Sequence, residues 1–235
     1  MPPYLIAIIA IIGFILFVIF IKWITSSANT EGSYFNRVHT RIEAYNEEQK
    51  RVAGKEAEEY VSYALKEIAR IYNGRLFNNY CIEDEYGDST EIDHLLICKG
   101  GIFAIETKFW SGKLSGKTSD EKVILIKSYD HTSSFHSNPI IQNQKHIKFL
   151  KRLIKRKTPK IENMVILIGT DYSEFKHESI FDLETAKNKI IQMIRNSDKS
   201  NDYVMRYYEV FKEIKNLYGI SSEEHKRRIE QKNKA

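Results

Sequence analysis

Cysteine is scarce in this chain of 235 residues, which contains only Cys81 and Cys98. Two cysteines are too few for the disulfide frameworks that hold small secreted domains together, so we expect both to be ordinary buried residues. The seven histidines are scattered and none has the spacing to cysteine that structural zinc sites use. Internal repeats and low-complexity segments are also absent from the sequence, which excludes repeat folds.

Positive charge is in slight excess. The formal net charge is +5 at pH 7, and every charged side chain lies at residue 22 or beyond. A basic chain of this kind favours polyanionic partners, either nucleic acid or the anionic surface of a membrane.

One long apolar run covers residues 4–21 and is followed by Lys22 and Trp23. It reaches the roughly 18 to 20 residues that cross a bilayer as a helix. A cleaved signal peptide is the alternative, because residues 26–28 are small. However, the run exceeds the usual apolar region of about 7 to 15 residues in signal peptides, and no Lys or Arg precedes it. We therefore expect residues 1–24 to be a transmembrane anchor.

The basic residues that follow this run decide the expected orientation. Lys22, Arg37 and Arg41 all lie on its C-terminal side, and positive residues are enriched on the cytoplasmic side of membranes. We expect a single-pass protein of the cell membrane, with residues 4–24 in the lipid bilayer and the rest in the cytoplasm.

Residues 25–53 are predicted to be a linker or stalk helix, because four apolar residues recur there at three-four spacing: Phe35, Val38, Ile42 and Tyr45. Three readings remain open. The helix is a stalk, a coiled-coil seam that makes a homo-oligomer through residues 35–52, or a helix lying on the main domain. Gly54 is predicted to interrupt it.

Beyond Gly54 the patterns alternate between helix and strand. Helices are predicted over residues 57–71, 139–156, 182–195 and 203–218, and strands over residues 76–82, 91–98, 101–110, 122–127 and 164–169. This order predicts an α/β fold in which the middle strands are antiparallel and the last strand returns parallel beside them. We assign residues 54–170 to the main domain and residues 171–235 to a C-terminal helical extension.

The most informative feature is a predicted hairpin that turns at Lys99–Gly100. A two-residue turn pairs Cys98 with Gly101, and the same register places Asp93 opposite Glu106. Opposed side chains in an antiparallel pair lie about 5 Å apart on one face, where like charges repel. A hard divalent cation such as Mg²⁺ accounts for two carboxylates at such a place. The alternation of side chains also places Lys108 on the face of Glu106.

The spacing of Glu106 and Lys108 is not specific in itself. The same E-x-K spacing recurs in five polar segments, which begin at Glu48, Glu174, Glu213, Glu224 and Glu230. Only the pair at Glu106 and Lys108 ends an apolar strand opposite an Asp. From the residues alone, a metal site and a solvated salt bridge at the end of a hairpin both remain open.

The stretches at residues 90–97 and 101–112, with Asn138–Pro139 and Gln142–Asn143 after them, closely resemble the nuclease-related domain (NERD) family. Asp93 followed by Glu106-Thr107-Lys108 is similar to the D…(D/E)-x-K core of the restriction-endonuclease-like nucleases to which that family belongs. The resemblance covers roughly residues 54–170. It implies a restriction-endonuclease-like core, a mixed sheet flanked by helices, with the transmembrane helix before it and the C-terminal helices after it.

The resemblance also implies roles for individual residues. Asp93 and Glu106 are expected to be ligands of Mg²⁺ or Mn²⁺, and Lys108 to position water or stabilise charge. Glu58 matches the helical glutamate of the family, and Gln142 matches a polar residue that faces the site. One departure is Ala57, where the family usually has Gly before the glutamate.

Two functions follow as alternatives. The first is a membrane-anchored, metal-dependent nuclease that cuts DNA, or else RNA. The second is a membrane-tethered nucleic-acid or protein interaction module that keeps the nuclease-like fold without turnover. The acid-acid-Lys set is complete, which favours the enzyme.

A basic helix face and His94 are two further features of the sequence. The predicted helix at residues 139–156 has a basic face, for which we expect contact with nucleic-acid phosphates through Lys148, Lys151, Arg152 and Lys155. A solvated face and contact with anionic lipid are the other readings. His94 points away from Asp93, so we expect it to be a packed or hydrogen-bonded histidine and not a metal ligand.

Overall fold

The structure, a computed structural model, describes residues 48–128, 131–154 and 158–232. Residues 53–235 belong to one compact unit. The predicted membrane segment, residues 4–24, lies outside the described residues, as do the four apolar residues of the predicted stalk. No helix within the described part of the chain has both the length and the apolar character to cross a bilayer.

The first described helix, α1, covers residues 48–71. The predicted interruption at Gly54 is therefore wrong, because the helix runs through it. A Cβ at this position would meet no atom within 4 Å, so the position imposes no steric need for glycine. The helix ends in a turn at Asn73, which has a φ of 55°, as the Asn73–Gly74 pair predicts.

Within the described residues, seven strands form one mixed sheet. Their bounds are β1 Arg75–Glu83, β2 Ser89–Cys98, β3 Gly101–Ser115, β4 Lys122–Lys127, β5 Ser133–Ser137, β6 Ile161–Asp171 and β7 Ile180–Phe181. Strands β1 to β5 are antiparallel neighbours in sequence order, whereas β6 pairs parallel with β3 and with β7. The predicted antiparallel hairpins and the parallel return of the later strand are confirmed.

Two short strands were not predicted. The segment of β5 is mostly polar and has no strand pattern, and Phe135 at its centre is 72% exposed in the structure. Pairing with β4, and not burial, makes it a strand. Strand β7 has only two residues and is defined by its pairing with β6.

Four helices follow within the described residues: α2 Pro139–Leu153, α3 Leu183–Arg195, α4 Asn201–Tyr218 and α5 Ser222–Lys232. Asn138 caps α2, accepting a hydrogen bond from the N–H of Ile140 at 3.0 Å, with Pro139 as the first helical residue, as predicted. The helix ends at Leu153, earlier than predicted, because Ile154 is extended. The basic tail after Gly219 forms α5.

The helices cover both faces of the sheet. One face packs against α2 and α4, which contribute residues such as Leu150 and Phe211. The other face packs against α1 and α3 through residues such as Leu65 and Ile190. The predicted α/β layering is thus confirmed, and the C-terminal helices pack on the same sheet as the strands of the main domain.

Strand β3 organises the sheet because it pairs with three others. Strand β6 follows one of its edges from Ile102 to Lys113. On the other edge, β2 pairs with residues 101–105 and β4 pairs with residues 112–115. Residues 106–111 of β3 therefore face a gap between His94, where the pairing with β2 stops, and Lys127, the last residue of β4.

Gly112 allows β4 to join β3 directly after this gap. A Cβ on Gly112 would lie 2.2 Å from the carbonyl oxygen of Ile126, and the residue has a φ of 148°, a region that favours glycine. The register between β3 and β6 also shifts between Phe109 and Gly112. Glycine at this position keeps the second half of the long strand in the sheet.

Candidate active site

The predicted acidic pair lies at the start of the gap in β3. The register of β2 and β3 runs from Cys98 opposite Gly101 to His94 opposite Ile105, as predicted. Asp93 and Glu106 are the next residue on each strand. At this point the Asp93 carboxylate accepts a hydrogen bond from the backbone N–H of Thr107 at 2.8 Å. The Asp93 side chain therefore bonds to β3 just beyond the last backbone pair of the two strands, His94 and Ile105.

Glu106 and Lys108 form an ion pair on one face of β3. Their Oε1 and Nζ atoms are 2.6 Å apart, and the side chains are 2% and 24% exposed. A buried carboxylate is costly unless a cation and hydrogen bonds satisfy it. The ammonium group satisfies one oxygen of Glu106 and remains partly open to solvent.

The second oxygen of Glu106 faces a histidine that the sequence analysis did not select. His146 Nε2 on α2 lies 3.7 Å from Glu106 Oε2. Both atoms are buried and neither has a hydrogen-bond partner among the described residues. The other ring nitrogen, Nδ1, is 2.6 Å from Thr90 Oγ1 on β2. Burial, together with the charge of Lys108, outweighs the attraction of Glu106 and lowers the pKa of His146.

Glu58 adds a third carboxylate from α1. It is half-buried, and burial raises its pKa, to which the charges of Glu91 and Glu106 add. Glu58 also contributes to the raised pKa of Asp93. The helical glutamate therefore lies within electrostatic reach of both strand carboxylates.

The electrostatics of the site follow from crowding of acids around one lysine. Burial raises the pKa of Asp93 well above its ordinary value, and the neighbouring charge of Glu106 adds to the effect. Burial opposes the charge of Lys108, but the carboxylates of Glu106, Asp93 and Glu58 together outweigh it and raise the pKa of the lysine. Lys108 is thus held charged, and its single positive charge is set against three carboxylates.

The donor set fits a hard divalent cation. Mg²⁺ is usually held by one or two carboxylates and keeps several waters, and Asp93 with Glu106 supplies two carboxylates at the same point of the β2–β3 hairpin. No cluster of three or more His, Cys, Asp or Glu side chains with metal-ligand geometry occurs in the described part of the chain. The residues fit an ion bound by two carboxylates and water, not an all-protein cage.

Gln142 lies one helical turn before His146, on the same side of α2. It is half-buried, and its predicted role at the site stays a prediction. Asn143 beside it anchors the helix, because its side-chain amide donates to the backbone oxygen of Ala104 at 2.8 Å and to Asn163 Oδ1 at 2.7 Å.

Lys148, Lys151 and Arg152, three of the four predicted basic residues, lie on α2 but on other sides of it than His146. Lys148 is exposed and is two residues from His146, about 200° around the helix. Arg152 binds Asp84 with 3.1 Å between Nη2 and Oδ2 and lies over the ring of Phe149. Lys151 is half-buried, and Lys155 lies outside the described residues. Their role in binding nucleic acid stays a prediction.

His94 and the two cysteines have the structural roles predicted for them. His94 Nδ1 is 2.8 Å from Asn78 Oδ1, and burial lowers the pKa of His94 to about 4. Cys81 and Cys98 are buried free thiols.

The functional-site residues that sequence reasoning missed are His146 and Thr90. A signal for His146 existed, because it follows Gln142 by four residues and therefore shares its side of the helix. Thr90 had no such signal. Its contact depends on where α2 crosses β2, which the sequence pattern does not define.

Comparison with known proteins agrees with the resemblance. Residues 53–168 match the nuclease-related domain family. A protein of Bacillus anthracis described as uncharacterized is 36% identical over 84 residues, which are 36% of this chain and 39% of that protein. The chain thus covers about two fifths of that relative. No solved structure matches the chain.

Proposed function

Because residues 53–168 belong to the nuclease-related domain family, we propose that this chain is a divalent-metal-dependent nuclease that hydrolyses phosphodiester bonds in DNA. The observation that carries the proposal is the gap in β3. It brings Asp93, Glu106 and Lys108 to one place, with the ammonium group 2.6 Å from the glutamate. A solvated salt bridge at the end of a hairpin does not describe a glutamate that is 2% exposed.

Each residue of the site has a separate role in the proposed reaction. Asp93 and Glu106 would hold Mg²⁺ or Mn²⁺, with Glu58 completing the acidic cluster. The ion supplies a bound water of lowered pKa and positive charge at the attacked phosphate. Lys108 keeps its charge among the acids and is partly exposed, so it can orient the attacking water or a phosphate oxygen. Gln142, one helical turn before His146 on α2, would offer an amide to the substrate.

Cleavage assays test this proposal directly. The full-length protein is incubated with single-stranded and double-stranded DNA and RNA, in linear and circular forms, with Mg²⁺, Mn²⁺ or EDTA. We expect metal-dependent cleavage of DNA that Asp93→Asn and Lys108→Met abolish. Cleavage of RNA alone would change the substrate class. Cleavage that survives both substitutions would contradict the assigned site.

Lys113→Met is the matched control for Lys108→Met. Lys113 lies on the same strand and also pairs with a glutamate, Glu174, at 2.6 Å, but this pair is exposed at 39% and 58%. We expect its removal to leave cleavage unchanged. Binding of nucleic acid without cleavage by the wild-type protein would favour the interaction module.

The anchor is part of the same proposal. We propose that residues 4–24 hold the nuclease at the cell membrane with its domain in the cytoplasm, because the apolar run is long enough to cross the bilayer. The full-length protein should then stay with membranes after high-salt and carbonate washes, whereas a chain lacking residues 1–24 should not. Recovery of the full-length chain in the soluble fraction would contradict the anchor.

A further inference from the structure

The proposed function assigns no role to the contact between His146 and Glu106. His146 Nε2 and Glu106 Oε2 face each other across 3.7 Å, and both are buried without another partner among the described residues. Buried polar atoms nearly always have a partner. Two such atoms side by side on different elements therefore indicate a hydrogen bond that a shift of about half an ångström completes.

For a neutral imidazole, which burial favours, the hydrogen-bond roles in this contact are consistent in only one way. A carboxylate oxygen accepts only, so Nε2 must carry the ring proton that faces Glu106. In a neutral imidazole Nδ1 is then an acceptor, and the Thr90 hydroxyl, 2.6 Å away, must donate to it. Thr90 thus selects the tautomer and the orientation of the ring.

The helix that carries His146 is fixed to the strand that carries Glu106. Asn143, one turn before His146, donates hydrogen bonds to the backbone oxygens of Ala104 and Met164, at 2.8 and 3.2 Å. Ala104 lies two residues before Glu106, on the same face of β3. The imidazole is therefore held at a defined place over the carboxylate.

We propose that His146, oriented by Thr90, is a positioning residue for Glu106. Lys108 holds Oε1 of the carboxylate and the imidazole holds Oε2, so that the carboxylate plane is fixed before a cation binds. This inference rests on the proposed function, because it assigns Glu106 as a metal ligand. Partners that orient metal ligands typically contribute about 10-fold to 100-fold in metal affinity.

The test measures cation binding as well as cleavage. Binding of Mn²⁺ and of Mg²⁺ to the full-length protein is measured by calorimetry for the wild type, His146→Phe and Thr90→Val. We expect His146→Phe to weaken both cations about tenfold, and Thr90→Val to act in the same direction but less. Cleavage by His146→Phe should show a lower kcat with little change in the KM for DNA, and higher cation concentration should restore part of it.

Two comparisons separate positioning from a general structural effect. Thr90→Ser keeps the hydroxyl and should restore wild-type affinity. Ser89→Ala is the matched control, because Ser89 precedes Thr90 on β2 and also bonds an imidazole, His225 Nδ1 at 2.8 Å, so its removal should leave cation binding unchanged. The Thr90→Val effect should also vanish in a His146→Phe background, because the two residues act through one contact.

Each outcome has a defined meaning. Wild-type cation binding by His146→Phe would overturn the positioning role while leaving the proposed function intact. A loss confined to Mn²⁺ would also overturn it, because it would show an imidazole that binds the ion directly. If His146→Phe does not fold, the contrast between Thr90→Val and Thr90→Ser decides. A wild-type protein that binds neither cation would instead overturn the proposed function.

Discussion

Replacing Asp93 by Asn should stabilise the metal-free protein. The substitution removes one of the two negative charges that meet at the end of the β2–β3 ladder. It also preserves the local geometry, because the amide oxygen of Asn can still accept the hydrogen bond from the Thr107 N–H. Glu106→Gln is a less direct test, since it would leave Lys108 without its partner.

The expected change in the free energy of unfolding is the difference between the repulsion that Asp93→Asn relieves and the attractions that it removes. Two unit charges about 5 Å apart repel by about 3 kcal/mol at an effective dielectric constant of about 20. Against this, the hydrogen bond from Thr107 loses its charged acceptor, which costs about 1 kcal/mol, and the attraction of Lys108 for Asp93 is lost. We expect the free energy of unfolding to rise by about 1 kcal/mol, or Tm by about 3 °C.

The assay is denaturation of wild type and Asp93→Asn in EDTA and in excess Mg²⁺. A ligand at about 100 times its Kd stabilises the folded state by about 2.7 kcal/mol, and Asp93→Asn should lose most of this gain. The variant should therefore be the more stable protein in EDTA and the less stable one in Mg²⁺. A variant that is less stable than wild type in EDTA at neutral pH would refute the argument from repulsion.

The pH dependence gives an independent check. Burial and the charge of Glu106 raise the pKa of Asp93 in the folded state. Its contribution to stability is therefore complete below the pKa of the unfolded chain and is lost as pH rises through the folded-state pKa. Asn has no such loss. The advantage of Asp93→Asn in EDTA should shrink as the solution is acidified, and an advantage independent of pH would contradict this origin.

Three further results are expected. Lys108→Met should retain most of the stabilisation by Mg²⁺ in thermal denaturation but lose turnover, because its proposed role is in the reaction. Replacing Lys148 and Lys151 by Gln should weaken DNA binding and flatten its salt dependence by about one unit of log-log slope for each lost phosphate contact, and an unchanged slope would assign this face to solvent or lipid. Removing residues 221–235 should make Cys81 react with thiol reagents while Cys98 stays protected. Cys81 is 1% exposed beside Ser222 of α5, and burial raises its pKa to about 12. Protection of both thiols in the shortened protein would contradict this.

The sequence was sufficient to predict the hairpin that carries the site. Lys99 and Gly100 define a two-residue turn, and a single turn of known length fixes the register of both strands. From that register the meeting of Asp93 with Glu106 and the shared face of Lys108 followed, and the pairing observed up to His94 and Ile105 agrees. These predictions depended only on local pattern.

What the sequence did not predict depends on contacts between distant elements. The gap in β3 exists because β4 joins the strand only at Gly112, and nothing in the alternation of residues 106–111 indicates an unpaired edge. His146 reaches Glu106 because Asn143 anchors α2 on β3. A helical pattern gives the apolar face of α2 but not its rotation relative to the strand.

The charged residues of the site are not needed for the stability of the fold. A buried ion pair such as that of Glu106 and Lys108 contributes little to stability, and well-packed apolar residues often replace such pairs at no cost. Asp93, held with a raised pKa by burial and by Glu106, opposes folding of the metal-free protein at neutral pH. Apolar residues in this part of β3 would stabilise the folded protein at least as well as the charged residues do. Charged groups that oppose stability in a partly open gap of the sheet are expected where they bind a ligand or a reacting group, which is why we place the chemistry of this chain there.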